Sequence, residues 1–416
     1  MVIHSIQNGA AHPARGGLHA RSGARAVAFV AGLCRAGVRA LLPCALLLAA
    51  VPIAFAQPGA LPAPVPPAID ARAYVLIDFA TGQVLASQAA DDRFEPASLT
   101  KLMTAYLTFN SIRQKRLAPA QVVPVSDRAR KAEGSRMFID QRVPVTVDEL
   151  MRGMIIQSGN DASIALAEAV AGGEDAFADA MTREAQRLGM KNTAFRNSTG
   201  LPDAKHFSTA SDLARLATAI IRDFPEFYSL YSQRDYTYNK IRQANRNRLL
   251  WLDPSVDGMK TGYTEAAGFC LVTSAKRGER RLVAVVLGAP SERARISESQ
   301  KLINYGFQFF DNFRLYGARQ PVAALAVWKG ASRTVDAGFD ADLVVTLPAG
   351  SGSRVKAELE SVQPLVAPIA AGQRVGTLKL ALDGRPLAEY PVVALQDVQT
   401  ANIFRRTWDS LRLMLK

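Results

Sequence analysis

Residues 95–103 read Glu-Pro-Ala-Ser-Leu-Thr-Lys-Leu-Met. Pro96 and Ala97 open a helix, and Ser98 and Lys101, three residues apart, share one of its faces. A serine hydroxyl is a weak nucleophile until a neighbouring base takes its proton. Lysine serves as that base only when burial or nearby cations depress its pKa. A serine at a helix N-terminus also has backbone N–H groups aimed at developing negative charge. The pattern S-x-x-K arises readily by chance, so the pair acquires meaning only in company.

Two further segments supply that company. Gln157-Ser-Gly-Asn-Asp161 follows the helical run Thr146–Ile156. Ser158 and Asn160 are two apart, a spacing that an extended loop, and not a helix, offers to one cleft. The hydroxyl can pass a proton to a leaving amine, and the amide can hold a peptide carbonyl. Alone, the segment reads more readily as a helix junction with Asn160 as cap. Asp257-Gly-Met-Lys-Thr-Gly-Tyr-Thr264 stands at the start of a strand. Lys260 brings fixed positive charge for a carboxylate, and Thr261 a hydroxyl to orient it. Gly262 leaves the strand surface open for an extended peptide.

The flanking pattern predicts an α+β fold. Ala73–Phe79 and Gln83–Ser87 read as a β-hairpin about Ala80-Thr-Gly82. Helical patterning runs from about Ala97 to Ile221, broken by Gly134, Gly159, Gly172-Gly173 and Gly200. Strands return over Gly258–Ser274 and Arg281–Gly288, turning at Arg277-Gly-Glu279, and a helix over Glu292–Phe313 follows. One antiparallel sheet assembled from both ends, with a helical block between, satisfies this order. From Pro321 the character changes. Short alternating strands at Leu343–Leu347, Val355–Leu359, Arg374–Leu382 and Ala388–Leu395 predict a small all-β domain. The expected division is a first domain over 69–317, the β domain over 318–398, and a terminal helix over 401–416.

The chain has 416 residues, 49% hydrophobic and 21% charged, a globular balance that excludes a disordered chain or a collagen-like repeat. Of four histidines and three cysteines, only His206 and Cys270 lie beyond residue 56. A zinc site within one chain needs three or four such ligands, so none is expected, and one lone cysteine makes no internal disulfide. Residues 1–56 hold Arg15, Arg21, Arg25, Arg35 and Arg39 and no acid, then an apolar run from Ala40 ending in Ala54-Phe-Ala56. That describes an export signal, followed by a Pro-rich linker over 57–68. Removing its five charges from +13 leaves +8, which suits anionic envelope polymers or lipid headgroups. Nucleic acid is not an expected partner, since export removes the protein from it.

S-x-x-K, S-x-N and K-T-G in this order, behind an export signal, form the set of penicillin-binding proteins and class A β-lactamases. From about Ile69 onward the chain resembles the low-molecular-mass penicillin-binding proteins, the D-alanyl-D-alanine carboxypeptidases of types 5 and 6. The resemblance includes Ser158-Gly-Asn-Asp-Ala-Ser163, Asn245-Arg-Asn247 with Leu249-Leu-Trp251, Val256-Asp-Gly-Met-Lys-Thr-Gly262, and the late Gly338–Pro348 segment. It implies a penicillin-binding fold in which Ser98 attacks the D-Ala-D-Ala carbonyl of peptidoglycan stems, and Lys101 is the base. By the same resemblance Ser158 relays a proton, while Asn160 holds the substrate amide and Lys101. Lys260, Thr261 and Arg246 face the terminal carboxylate, and the amides of Ser98 and Tyr263 form the oxyanion hole. β-Lactams would acylate Ser98; no cofactor is implied. Tyr263 stands where the family carries His, and the stretch from Arg246 to Lys260 is one residue shorter.

Four alternatives compete. A β-lactamase would need a deacylating Glu-x-x-Leu-Asn loop, absent between Asn160 and Lys260. An endopeptidase shares the motifs. A Ser–His–Asp hydrolase would use His206, which sits in Lys205-His-Phe-Ser-Thr-Ala-Ser-Asp212 and reads as a loop residue. A non-catalytic envelope scaffold is the fourth. Finally, Phe404, Trp408, Leu411 and Leu415 fall within about 60° of one another on a helix. Arg405, Arg406, Arg412 and Lys416 gather opposite, against Asp409 alone. Too short to span, the segment is expected to lie on an anionic membrane surface, on the periplasmic face of the cytoplasmic membrane.

Overall fold

The computed structural model describes residues 65–415 and the backbone of Val2–Ile3. Apart from that dipeptide, the expected export signal, and with it most of the linker, lies outside the described residues. A five-stranded sheet carries the first half, in the order Val84–Gln88, Ala73–Asp78, Arg280–Ala289, Gly268–Arg277, Val256–Thr264, with every neighbouring pair antiparallel. Early and late segments thus meet at the centre, Val283 standing opposite Ile77. The central strand, Arg-Arg-Leu-Val-Ala-Val-Val-Leu-Gly-Ala, is apolar from Leu282 onward because both faces are covered there. Leu282, Ala284 and Val286 pack on Leu302 and Ile303 of the helix Glu292–Phe309. Val283, Val285 and Leu287, pointing the other way, join the core of the helical block.

That block is built about the helix Lys101–Arg113, buried on nearly every side. Its sequence shows no amphipathic stripe for that reason. Val147–Ile156 begins with a capping box, in which Thr146 and Glu149 satisfy each other's backbone N–H groups. Asn160–Ala171, Glu174–Arg187 and Ala210–Asp223 complete the block.

Two expectations need correction. The strand run from Gly258 is two strands, separated by a turn at Glu265-Ala-Ala267. The helix from Glu292 stops at Phe309, and Phe310–Tyr316 is a strand paired with Leu343–Pro348. The phenylalanines at 310 and 313 suit a helical stripe, but the distant partner strand takes the backbone instead. Asp235–Tyr238 and Ile241–Ala244 form a hairpin in a stretch where the sequence pattern predicts no element. Its turn residues, Asn239 and Lys240, both have positive φ.

The second half is a β domain whose main sheet runs Val355–Ser361, Arg374–Leu382, Arg385–Ala394, Thr334–Gly338, Pro321–Trp328, Leu365–Val366. Val2–Ile3 pairs along the outer edge of the first of these strands. The domain has its own core, centred on Val335, Leu347, Val375, Leu378 and Val392. Asp78, fully buried, ties it to the first sheet. It pairs with Arg280 at 2.9 Å and accepts from Asn312 Nδ2 at 3.1 Å, while Thr81 and Thr346 share a 2.6 Å hydroxyl contact beside it.

Candidate active site

Ser98 sits in a single 3-10 turn, Ala97–Thr100, that runs directly into the buried helix beginning at Lys101. Ala97 is held at φ +46°, a left-handed conformation that costs a non-glycine residue energy and turns the hydroxyl toward the cleft. Gly200 faces this turn so closely that a Cβ there would lie 1.8 Å from the Ala97 carbonyl oxygen. Gly262 is needed for the same kind of approach. Its missing Cβ would meet Pro96, Leu99 and Ala97 at 3.1–3.3 Å, so the glycine admits the Ser98 turn against the strand. That close packing, more than room for a peptide, is what the position requires.

Lys101 is buried, and its Nζ donates to Ser98 Oγ at 3.0 Å, Asn160 Oδ1 at 2.7 Å and the Thr199 carbonyl at 2.7 Å. Burial brings the ammonium from its ordinary 10.5 down to about 7, against the pull of Asp161 and Glu174. Asn160, the first residue of its helix, is itself fixed: its Nδ2 donates to the Glu133 carbonyl at 2.6 Å, and its backbone N–H to Ser135. Ser158 is the turn residue before it, at φ +69°, and accepts from Lys260 Nζ at 2.8 Å. Lys260 also donates to the Thr261 carbonyl at 3.0 Å. Its pKa falls well below the ordinary value, through burial first and then through the charges of Lys101, Arg246 and Arg295.

The sequence-predicted residues therefore converge. Ser98, Ser158, Thr261, Gly262, Tyr263 and Arg246 line one cleft of about 230 Å³, and Lys101, Asn160 and Lys260 stand immediately behind it through the bonds just given. Arg246 reaches Ser135 Oγ at 3.4 Å, and Tyr263 packs on Phe269, the rings tilted by 36° with centroids 4.4 Å apart, at the exposed rim.

Sequence reasoning missed three contributors. Arg295 lines the cleft, donates to the Gly262 carbonyl at 3.3 Å, and leaves its buried Nε without a partner. Glu174, also buried, accepts from both the N–H and the hydroxyl of Ser198 at 2.9 and 2.6 Å, fixing the turn whose next carbonyl binds Lys101. Asp161 accepts from the N–H groups of Met137, Phe138 and Ile139, pinning the loop beside Asn160. Asp161 stands inside the Ser158–Ser163 segment, where its type declares no role, and Glu174, an acid opening a helix after two glycines, reads as an ordinary charge at a helix N-terminus.

His206 is not a base here. Its Nδ1 accepts the Arg196 N–H at 3.3 Å, which leaves Nε2 to carry the proton and donate to Thr100 Oγ1 at 2.8 Å. Among the described residues no group of three His, Cys, Asp or Glu side chains is placed to hold a metal ion.

A serine hydroxyl in contact with a buried lysine amine, beside a Ser–Asn turn and a Lys-Thr-Gly strand on an antiparallel sheet, is the arrangement of serine acyl-transferring enzymes of the penicillin-binding class. Comparison with known proteins agrees. Residues 61–291 match the D-alanyl-D-alanine carboxypeptidase family, and residues 310–400 match the penicillin-binding protein 5, C-terminal domain. The chain is 40% identical over 373 residues to the D-alanyl-D-alanine carboxypeptidase DacC of Escherichia coli (strain K12), covering 88% of this chain and 92% of that one. It is 40% identical over 357 residues to DacA of Haemophilus influenzae, covering 84% and 91%. The crystal structure of penicillin binding protein 5 from Haemophilus influenzae superposes with a TM-score of 0.79 at 40% identity, over 81% of this chain and 99% of that one. The chain belongs to the D-alanyl-D-alanine carboxypeptidase family of serine-type hydrolases.

Proposed function

We propose that this protein removes the terminal D-alanine from peptidoglycan pentapeptide stems through an acyl-enzyme on Ser98, and that β-lactams acylate the same hydroxyl. The observation that carries the reading is the 3.0 Å contact between Ser98 Oγ and the buried Lys101 amine, whose pKa lies near 7. The neutral amine takes the serine proton as Oγ attacks the penultimate D-alanine carbonyl. The amides of Ser98 and Tyr263 stabilise the oxyanion. Ser158, already bonded to Lys260, relays to the departing D-alanine nitrogen the proton that Lys101 took from Ser98, so that the lysine is neutral again and the serine keeps its hydroxyl. Lys260, Thr261 and Arg246 hold its carboxylate in a cleft to which Arg295 adds a further positive charge. Water then clears the acyl group.

The terminal helix, Ile403–Met414, supports peripheral attachment to the periplasmic face of the cytoplasmic membrane after export. Phe404 and Met414 are each 84% exposed and Trp408 61%, so its apolar stripe faces away from the β domain. No described helix is long and apolar enough to cross a membrane. The β domain then acts as a stalk lifting the cleft toward its polymer.

The test is D-alanine release from a pentapeptide ending in D-Ala-D-Ala. Activity lost in Ser98→Ala supports the assignment, and release at the wild-type rate refutes it. Cutting the chain after residue 400 should free a soluble, penicillin-binding enzyme; its retention in the membrane pellet would refute the anchor.

A further inference from the structure

We propose that the groove between the terminal helix and the β domain binds the phosphate of an anionic lipid headgroup. This rests on the reading of that helix as a surface anchor, and gives the anchor a defined contact in place of diffuse attraction. The helix is docked by its polar side. Asp409, buried, accepts the Lys329 N–H at 2.7 Å, and Arg405 donates to the Ala331 carbonyl at 3.2 Å. These two bonds fix the rotation of the helix, and so fix which side chains stand at the boundary between docked and apolar sides.

At 100° per residue Arg405 and Arg412 lie about 20° apart on that boundary, with Trp408 about 40–60° further toward the apolar side. Arg333, from the loop before the strand Thr334–Gly338, completes the wall, and Trp328 the floor, of a groove of about 300 Å³. Arg412 stands over the Trp328 ring at 5.9 Å. Three guanidiniums thus face one carboxylate, itself occupied by a backbone N–H. The ion pairs of this sheet are Arg354–Asp383 and Lys379–Glu360, and among the described residues none joins a carboxylate to Arg333, Arg405 or Arg412.

Guanidinium forks match phosphate oxygens bidentately. With Phe404 and Met414 sunk to the acyl boundary, this flank lies at headgroup depth, where indoles also settle. Inorganic phosphate shares the anion's chemistry. The two indoles and the apolar wall of Ala326 and Val327 favour instead a diester carrying a glyceryl group.

The exported chain, residues 57–416, would be sedimented with vesicles of phosphatidylcholine mixed with phosphatidylglycerol. Ending the chain at 400 should abolish binding; undiminished binding overturns the anchor and the groove together. Two single-charge losses then isolate the groove. Arg406→Gln, on the opposite flank of the helix, forfeits only diffuse attraction and should weaken binding about fivefold. Arg333→Gln, off the helix altogether, loses a charge-assisted contact of about twice that energy and should weaken binding on the order of thirtyfold. Equal losses, or a larger one at Arg406, overturn the groove while the anchor stands. Short-chain phosphatidylglycerol should shift the side-chain NMR signals of Arg333 and Arg412 at concentrations where inorganic phosphate does not. Equal response to the free ion overturns the lipid as the ligand.

Discussion

The rate of acylation should follow the ionisation of Lys101. Burial holds its amine at about 7, so roughly half is neutral at pH 7, against about three parts in ten thousand for an unperturbed lysine. At pH 5 only about 1% is neutral, and the saturated acylation rate should fall about fiftyfold from its value at pH 7. Glu174 sharpens the test. Its charge raises the pKa of Lys101, so Glu174→Gln, which keeps an acceptor for Ser198, should move the midpoint to lower pH. Lys260 acts with the opposite sign: its protonation at low pH favours a carboxylate ligand, which appears in KM and not in the saturated rate. The assay is stopped-flow acylation by a penicillin that has no ionisation of its own between pH 5 and 9. A rate independent of pH below 8, or a midpoint that moves upward in Glu174→Gln, would refute the reasoning.

Three further outcomes are expected. Asp78→Ala leaves Arg280 buried without its counter-ion and should cost about 3–5 kcal/mol of unfolding free energy in urea titration; a loss below about 1 kcal/mol contradicts the junction as described. His206 is held neutral, with burial lowering its pKa to about 4. Between that value and the ordinary 6.5 the unfolded chain binds more protons, so stability should fall as pH falls through this window, by about 3 kcal/mol from this group. His206→Gln should remove that part of the dependence, and an unchanged pH profile of unfolding argues against it. Lys260→Ala should raise KM for peptides with a free terminal carboxylate far more than for their esters, and equal effects on both would remove its assigned partner.

Much of this was legible because catalytic chemistry restricts residue type. Ser98, Lys101, Ser158, Asn160 and Lys260 would carry the proposed chemistry in their own side chains, so spacing and type exposed them. Thr199 contributes a carbonyl oxygen, which any residue could supply, and Glu174 acts one step further back through Ser198. Neither leaves a pattern. The antiparallel sheet could be read from its long apolar strands, whereas Phe310–Tyr316 could not: its residues suit a helix locally, and only pairing with Leu343–Pro348 makes it a strand. The orientation of the terminal helix was likewise hidden, since the same amphipathic stripe fits docking inward or facing out. The bond from Asp409 to Lys329 decides it.

The central claim, that Ser98 is the nucleophile activated by Lys101, is tested most directly by intact-protein mass spectrometry after exposure to a penicillin, with the modified peptide then located. The account predicts one penicilloyl group per chain, carried on Ser98, absent in Ser98→Ala, and formed only very slowly in Lys101→Ala. An adduct on Ser158, or wild-type acylation of Lys101→Ala, would contradict it.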